Sequence, residues 1–148
     1  MKKLILFLSV VLLTACQGKA DNSASNANSE TTTLSKNDTG IPVGVQELPE
    51  NMTYDVDKAP GHLVVIDFNA TWCAPCRNFA PIFEEASQQF AGEVEFISVN
   101  VDQHQELVQK LGIQSIPFLL FIQPDGKLNS WVGFLPQEEF IKAIKELK

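Results

Sequence analysis

The sequence is poor in cysteine and in positive charge, and each shortage excludes a class of protein. Three cysteines in 148 residues are too few for a small scaffold held together by many disulfides. Eleven basic against eighteen acidic residues give a net charge of −7, which argues against a nucleic-acid-binding protein because a phosphate backbone attracts a basic surface. The remaining composition, 45% hydrophobic and 20% charged, is typical of a globular protein with one domain or at most two.

The N-terminal region lacks a hydrophobic run long enough to span a membrane. The apolar run at residues 4–13 would cover about 15 Å as a helix, which is half the core of a bilayer. Two lysines precede this run, and the combination of a positive start with a short apolar run is typical of a secretory signal peptide.

The four residues LTAC, which end at Cys16, resemble the bacterial lipobox, whose cysteine is lipidated and becomes residue one after cleavage. An ordinary signal peptide with a cysteine beside small residues is the alternative interpretation. The resemblance implies a lipoprotein signal peptide over residues 1–15 and a lipid on Cys16. Its acyl chains would anchor the protein to a bacterial membrane, facing the periplasm or the cell exterior.

Serine, asparagine and threonine make up half of residues 17–40. Such a segment buries too little apolar surface to offset the entropy lost on ordering. We therefore predict that residues 16–40 are a lipidated N-terminus and a disordered tether. The folded domain is predicted over residues 41–148.

From residue 41 onward, predicted strands alternate with predicted helices. Apolar, β-branched runs predict strands at residues 63–68, 94–101, 118–122 and 127–132. Apolar stripes at helical spacing predict helices from Cys73 to about Phe90, at 103–111 and at 136–148. Weaker patterns suggest an edge strand at 43–48 and a short helix at 51–58. The alternation predicts an α/β fold, in which a central mixed β-sheet carries helices on both faces.

The strand at 63–68 leads into the motif WCAPC at residues 72–76. Cys73 is expected at the N-terminus of the next helix, where unpaired N–H groups and the positive end of the helix dipole favour a thiolate. Cys76 lies about one helical turn further, so the two sulfurs can form a disulfide. Thiol–disulfide exchange requires such a pair, one thiolate to attack and a second thiol to resolve the mixed disulfide.

Other interpretations compete with a redox role for Cys73 and Cys76. A structural zinc site needs about four nitrogen or sulfur ligands, and the domain adds only His62 and His104 to the pair. A structural disulfide would close a very small loop and constrain little, and an inert buried pair would leave the position of Trp72 as coincidence. Redox chemistry is therefore favoured, and we expect no metal and no cofactor.

Asp67 lies within the apolar strand at 63–68, six residues before Cys73. Burying a carboxylate is costly and ordinarily raises its pKa. A carboxyl group poised near neutrality behind a dithiol can take the proton from the resolving cysteine. The alternative is an aspartate at a solvated edge of the strand.

Pro117 immediately precedes the apolar strand at 118–122. A cis peptide bond before this proline would expose the backbone of Ile116 for pairing with an extended substrate. The sequence does not itself determine whether the bond is cis.

From Val43 to the C-terminus, these motifs together resemble the thioredoxin family. The stretches VVIDFNATWCAPC and SIPFLLF are similar to its active-site strand and its cis-proline strand, and WVGF to its substrate-groove glycine. The resemblance implies a thioredoxin fold in which Cys73 is the nucleophile, Cys76 the resolving thiol and Asp67 the proton relay. It also implies a substrate groove formed by Trp72, Ala74, Pro75, Ile116, Pro117 and Gly133.

Two positions depart from the pattern of that family. Ala74-Pro75 replaces the commonest active-site dipeptide, Gly-Pro, which bears on the redox potential. Ser98 stands where a lysine is often found near the buried aspartate, and this change would leave Asp67 without a cationic neighbour.

The sequence therefore predicts a lipid-anchored, extracytoplasmic thiol–disulfide oxidoreductase that reduces protein disulfides through its CAPC motif. We expect it to be a monomer whose partners are extracytoplasmic proteins with disulfides and a membrane protein that donates electrons. Two alternatives stay open: a non-catalytic thioredoxin-fold module that binds a partner through the same groove, and an oxidant that forms disulfides. The uncharged dipeptide and the acidic domain favour a mild, reductase-like site.

Overall fold

The computed structural model describes residues 39–148, in which strands and helices alternate. The strands of this part of the chain are β1 (Val45–Glu47), β2 (Leu63–Asn69), β3 (Val94–Asn100), β4 (Phe118–Ile122) and β5 (Leu128–Val132). Its α-helices are α1 (Ala74–Gln89), α2 (Gln105–Leu111) and α3 (Gln137–Leu147). The predicted signal peptide, Cys16 and nearly all of the predicted tether lie outside the described residues.

The strands form one mixed sheet in the order β1-β3-β2-β4-β5. β3 runs parallel to both β1 and β2, whereas β4 pairs antiparallel with β2 and with β5. β2 is therefore central, and its residues are buried from Leu63 to Phe68. Burial on both faces explains why this strand is a continuous apolar run instead of an alternating one. The predicted α/β fold with a central mixed sheet is confirmed.

Helices cover both faces of the sheet, so successive strand residues enter two different apolar clusters. The cluster under α1 and α3 contains Leu63, Val65, Phe79, Phe83, Phe96 and Phe140 among its buried members. The cluster under α2 contains Val64, Ile66, Phe68, Ile97 and Leu107. Because Asp67 follows Leu63 and Val65 at a period of two residues, its side chain lies on the face that α1 covers.

The short helix predicted at 51–58 is wrong, because this segment contains turns and irregular backbone but no helix. The carboxylate of Asp55 accepts a 3.2 Å hydrogen bond from the backbone N–H of Asp57. Side-chain bonds of this kind compete with helical backbone bonds and favour turns. Val56, between these aspartates, is buried in the α2-side cluster and anchors the turn. The edge strand predicted at 43–48 is confirmed as β1.

Candidate active site

Cys73 and Cys76 lie where the chain passes from β2 into α1, and a disulfide joins them. Cys73 is the N-cap residue of α1, and its sulfur accepts a 3.2 Å hydrogen bond from the backbone N–H of Cys76. Pro75 occupies the first turn, where a missing N–H costs nothing. The helix therefore directs an N–H group, and the positive end of its dipole, at the sulfur of Cys73.

Few side-chain charges modify this electrostatic environment. The first turn of α1 carries no acidic residue. The guanidinium of Arg77 donates a 2.9 Å hydrogen bond to the carbonyl oxygen of Thr71 and is exposed. The helix terminus is thus the main feature of this part of the chain that stabilises negative charge on Cys73.

Asp67 is buried in the centre of the sheet, as its apolar strand predicts, with 4% of its surface exposed. The pKa of this carboxyl group is raised from 3.8 to about 7, chiefly by burial; the hydrogen bond from Asn69 opposes this rise, and the charge of Glu47 adds to it. A carboxyl group with a pKa near 7 can both accept and release a proton at neutral pH.

Asp67 and Cys76 line the same cavity, of about 540 Å³, between the sheet and α1. The cavity is also lined by Glu47 from β1 and by Arg77 and Glu84 from α1, all three exposed. Oδ1 of Asp67 is buried and accepts no hydrogen bond from a described residue. The carboxyl group that sequence reasoning assigned as a proton relay thus shares a cavity with the cysteine predicted to lose the proton.

The groove residues predicted from the sequence fall into two groups, of which the first lies next to the cysteine pair. Trp72 is 65% exposed, and its indole N–H donates a 2.9 Å hydrogen bond to Asp102. Ile116 is half-buried and packs against the cluster formed by the two cysteines and Ala70.

The second group lies at the start of β4 and the end of β5. The peptide bond between Ile116 and Pro117 is cis, and the proline itself is buried. The backbone N–H of Gly133 donates a 2.8 Å hydrogen bond to the carbonyl oxygen of Pro117. The structure therefore brings Pro117 and Gly133 together, and Ala74 and Pro75 are exposed in the first turn of α1.

Sequence reasoning missed Asn69, whose side chain contacts Asp67. A signal for it existed, because Asn69 is an amide two residues after Asp67 in an otherwise apolar strand and therefore shares its face. The opposite partner, Ser98, was identified only as a departure from a family pattern. Within residues 39–148, no group of three or more His, Cys, Asp or Glu side chains could hold a metal ion.

The arrangement suits a two-electron reaction of the cysteine pair. A dithiol that closes to a disulfide releases two electrons and two protons, and a neighbouring carboxylate can take one of those protons.

Comparisons with known proteins agree with this geometry. The sequence profile of the Thioredoxin family matches residues 44–146 of this chain. The thioredoxin of Borreliella burgdorferi is 42% identical over 82 residues, which are 55% of this chain and 70% of that protein. The thioredoxin of Bacillus subtilis is 38% identical over 85 residues, which are 57% of this chain and 78% of that protein.

Solved structures are similar over a larger part of the chain. The crystal structure of a Malassezia sympodialis thioredoxin superposes with a TM-score of 0.62 at 33% identity, covering 72% of this chain and 94% of that one. Chloroplastic thioredoxin z gives a TM-score of 0.64 and covers 71% of this chain and 95% of that one. Its identity of 24% makes that likeness one of fold alone.

Proposed function

Because this chain belongs to the thioredoxin family and is a thioredoxin-like thiol–disulfide oxidoreductase, we propose that it reduces disulfides of extracytoplasmic proteins while anchored to a membrane by a lipid. The observation that carries the catalytic part is the placement of Cys73 at the N-cap of α1, with Cys76 one turn away and Asp67 on the cavity that Cys76 lines. The membrane location rests on the sequence around Cys16.

The reaction begins with the reduced protein. The Cys73 thiolate attacks one sulfur of a substrate disulfide, forming a mixed disulfide and releasing the other substrate sulfur as a thiolate. The Asp67 carboxylate takes the proton of Cys76, and the Cys76 thiolate attacks the sulfur of Cys73. The second substrate sulfur leaves, the Cys73–Cys76 disulfide closes, and the substrate has gained two electrons.

The substrate groove follows from the residues around the cysteines. Trp72, Ile116, Pro117 and Gly133 would contact the chain on either side of the substrate disulfide, with Ala74 and Pro75 at the first turn of α1. Support comes from the exposed indole of Trp72 and from the hydrogen bond that joins Gly133 to Pro117. No bound cofactor enters the reaction, since the two cysteines carry both electrons.

Each turnover ends with the oxidised pair, so a reductase needs an electron donor. In an extracytoplasmic space, which favours disulfides, that donor must bring electrons from the other side of the membrane. We infer a membrane protein with its own dithiol as the partner that reduces Cys73–Cys76. A monomer suffices for this exchange.

The lipid anchor is proposed for Cys16, because LTAC follows a short apolar run that begins behind two lysines. Residues 39–148 contain no helix that is both long enough and apolar enough to cross a bilayer. In this proposal, acyl chains on Cys16 hold the domain at the membrane through the segment that precedes residue 41.

Reduction of insulin disulfides by dithiothreitol tests the catalytic part of the proposal. The wild-type chain should accelerate precipitation of the insulin B chain, and Cys73→Ser should abolish the acceleration. Cys16→Ser is the matched control, since it removes a cysteine outside the CAPC motif and should retain full activity. A wild-type chain no faster than Cys73→Ser would instead support the non-catalytic binding module.

A further inference from the structure

The side-chain amide of Asn69 lies where three hydrogen-bond acceptors converge. Its Nδ2 atom is 3.2 Å from Oδ2 of Asp67, 3.2 Å from the backbone carbonyl oxygen of Asp67 and 3.0 Å from Oγ of Ser98. A backbone carbonyl oxygen can only accept, so the nitrogen side of the amide must face this group. The two hydrogens of the amide are shared among the three acceptors.

Strand register explains why these side chains meet. Asp67 of β2 lies directly opposite Ser98 of β3, and Asn69 lies two residues beyond Asp67 on the same face. Asp67 and Ser98 are buried, whereas Asn69 is half-buried at the end of the strand. The amide therefore bridges two neighbouring strands directly above the aspartate, on the side that α1 covers.

No basic side chain within residues 39–148 forms an ion pair or a hydrogen bond with Asp67. The charged groups around the cavity are Glu47 from β1 and Arg77 and Glu84 from α1. From β4, the residue opposite Asp67 is the apolar Leu119. In this part of the chain, the hydrogen bond from Asn69 to Oδ2 is thus the polar side-chain contact that holds the carboxyl group.

We propose that Asn69, itself held by the Ser98 hydroxyl, is a positioning residue that orients the Asp67 carboxyl group and keeps it able to accept the Cys76 proton. The Asn69–Ser98 pair is a neutral substitute for a cation beside the buried aspartate. This inference rests on the proposed function, because it concerns the proton transfer within that reaction.

A hydrogen bond from a neutral donor is stronger to a carboxylate than to a carboxylic acid. Asn69 therefore favours the ionised form of Asp67 and opposes the effect of burial. Without that donor, Asp67 would hold its proton to higher pH and could not take another from Cys76 at neutral pH. Because the amide binds Oδ2, the other oxygen, Oδ1, stays available to receive the proton.

The test is a titration of Asp67 in the oxidised protein, followed through the ¹³C shift of its side-chain carboxyl group. In Asn69→Ala, the midpoint should rise by about one pH unit, the value expected for loss of one hydrogen bond to a charged group. Ser98→Ala keeps the amide of Asn69 but removes the hydroxyl that holds it in place, so the Asp67 midpoint should rise by less than in Asn69→Ala. Ser98→Thr restores the hydroxyl and should return the midpoint to that of the wild type.

Asn100→Ala is the matched control, since Asn100 lies opposite Asn69 in the register but bonds to the backbone of Asp102. Its Asp67 midpoint should equal that of the wild type. In single-turnover resolution of a mixed disulfide, the acidic limb of the pH profile should move with the Asp67 midpoint in each variant.

An unchanged midpoint in Asn69→Ala and Ser98→Ala would overturn the inference. If Asn69→Ala does not fold, the two Ser98 variants still decide. Ser98→Ala must raise the Asp67 midpoint above that of the wild type, and Ser98→Thr must return it to the wild-type value. The titration uses the oxidised protein and needs no turnover. An inactive wild type would therefore reject the proposed function, whereas an active one with an unmoved midpoint would reject only the role of Asn69.

Discussion

The rings of Phe79 and Phe140 meet edge-on, with their centroids 5.1 Å apart. Phe79 lies one turn beyond Cys76 in α1, and Phe140 belongs to α3, so this contact joins the cysteine-bearing helix to the C-terminal helix. Phe140 also packs against the rings of Phe83 and Phe121. The helix that presents the cysteines is thus held against the sheet by a cluster of aromatic rings.

Phe140→Ala should lower the free energy of unfolding by about 3–5 kcal/mol, because it leaves a cavity among rings that are fully buried. Leu128→Ala is the control, since Leu128 is 45% exposed on β5 and should cost less than about 1 kcal/mol. Guanidinium unfolding of the oxidised proteins measures both values. Equal losses in the two variants would contradict the structural role assigned to Phe140.

Asp67→Asn should slow the resolution of a mixed disulfide by about a hundredfold, because the site loses its proton acceptor but keeps the side-chain volume. Single-turnover kinetics between pH 6 and 9 measure the step directly. Near-ultraviolet circular dichroism should show the same fold as in the wild type. A rate that equals the wild type at every pH would remove Asp67 from the mechanism.

The same carboxyl group should make stability depend on pH in a defined direction. Its pKa is about 7 in the folded protein and 3.8 as a free group, so between these values the unfolded chain is ionised while the folded chain still holds the proton. The folded state then binds more protons, and stability falls as the pH rises. The fall should total about 4 kcal/mol between pH 4 and pH 8.

Asp67→Asn should lack this part of the pH dependence. As the pH rises from 4 to 7, the variant should therefore become steadily more stable relative to the wild type. Above pH 7, the difference in their unfolding free energies should level off. Unfolding by urea at pH 4, 6 and 8 gives the required values. Parallel curves for the two proteins would show that burial does not raise the pKa of Asp67.

The redox potential of the Cys73–Cys76 pair should lie nearer to about −270 mV, as in reducing thioredoxins, than to about −120 mV, as in a strong oxidant. The dipeptide between the cysteines is uncharged, Arg77 bonds to a backbone carbonyl, and the domain is acidic, so little besides the helix terminus stabilises a thiolate. Equilibration with glutathione buffers measures the potential. A value more positive than about −180 mV would make the protein an oxidant.

Cys16→Ser should move the protein from the membrane fraction to the soluble fraction while insulin reduction stays at the wild-type level. The lipid, not the folded domain, is the proposed attachment. Fractionation of cells that express each form gives the result, with Ser25→Ala as a control in the same segment. Membrane association that survives the Cys16 substitution would contradict the lipobox interpretation.

Much of the fold could be predicted because its signals are local. The apolar run around Asp67 predicts a buried strand, and the spacing of Phe79, Phe83 and Phe90 predicts the helix that follows the cysteines. The segment at 51–58 could not be assigned in this way. A single buried apolar residue such as Val56 is compatible with a short helix and equally with a turn. There the hydrogen bond between Asp55 and Asp57 decides the structure.

The sequence by itself determined that two cysteines stand at the start of a helix and that a carboxylate precedes them in a buried strand. Local periodicity and residue type suffice for such conclusions, because neighbouring residues in the chain determine where a helix begins and which strand is apolar. Only the tertiary structure decided that Asn69 bridges Asp67 and Ser98, and that Trp72 bonds to Asp102. Hydrogen bonds form only at about 3 Å. These bonds therefore depend on the pairing of β2 with β3, which brings residues about thirty positions apart in the sequence side by side.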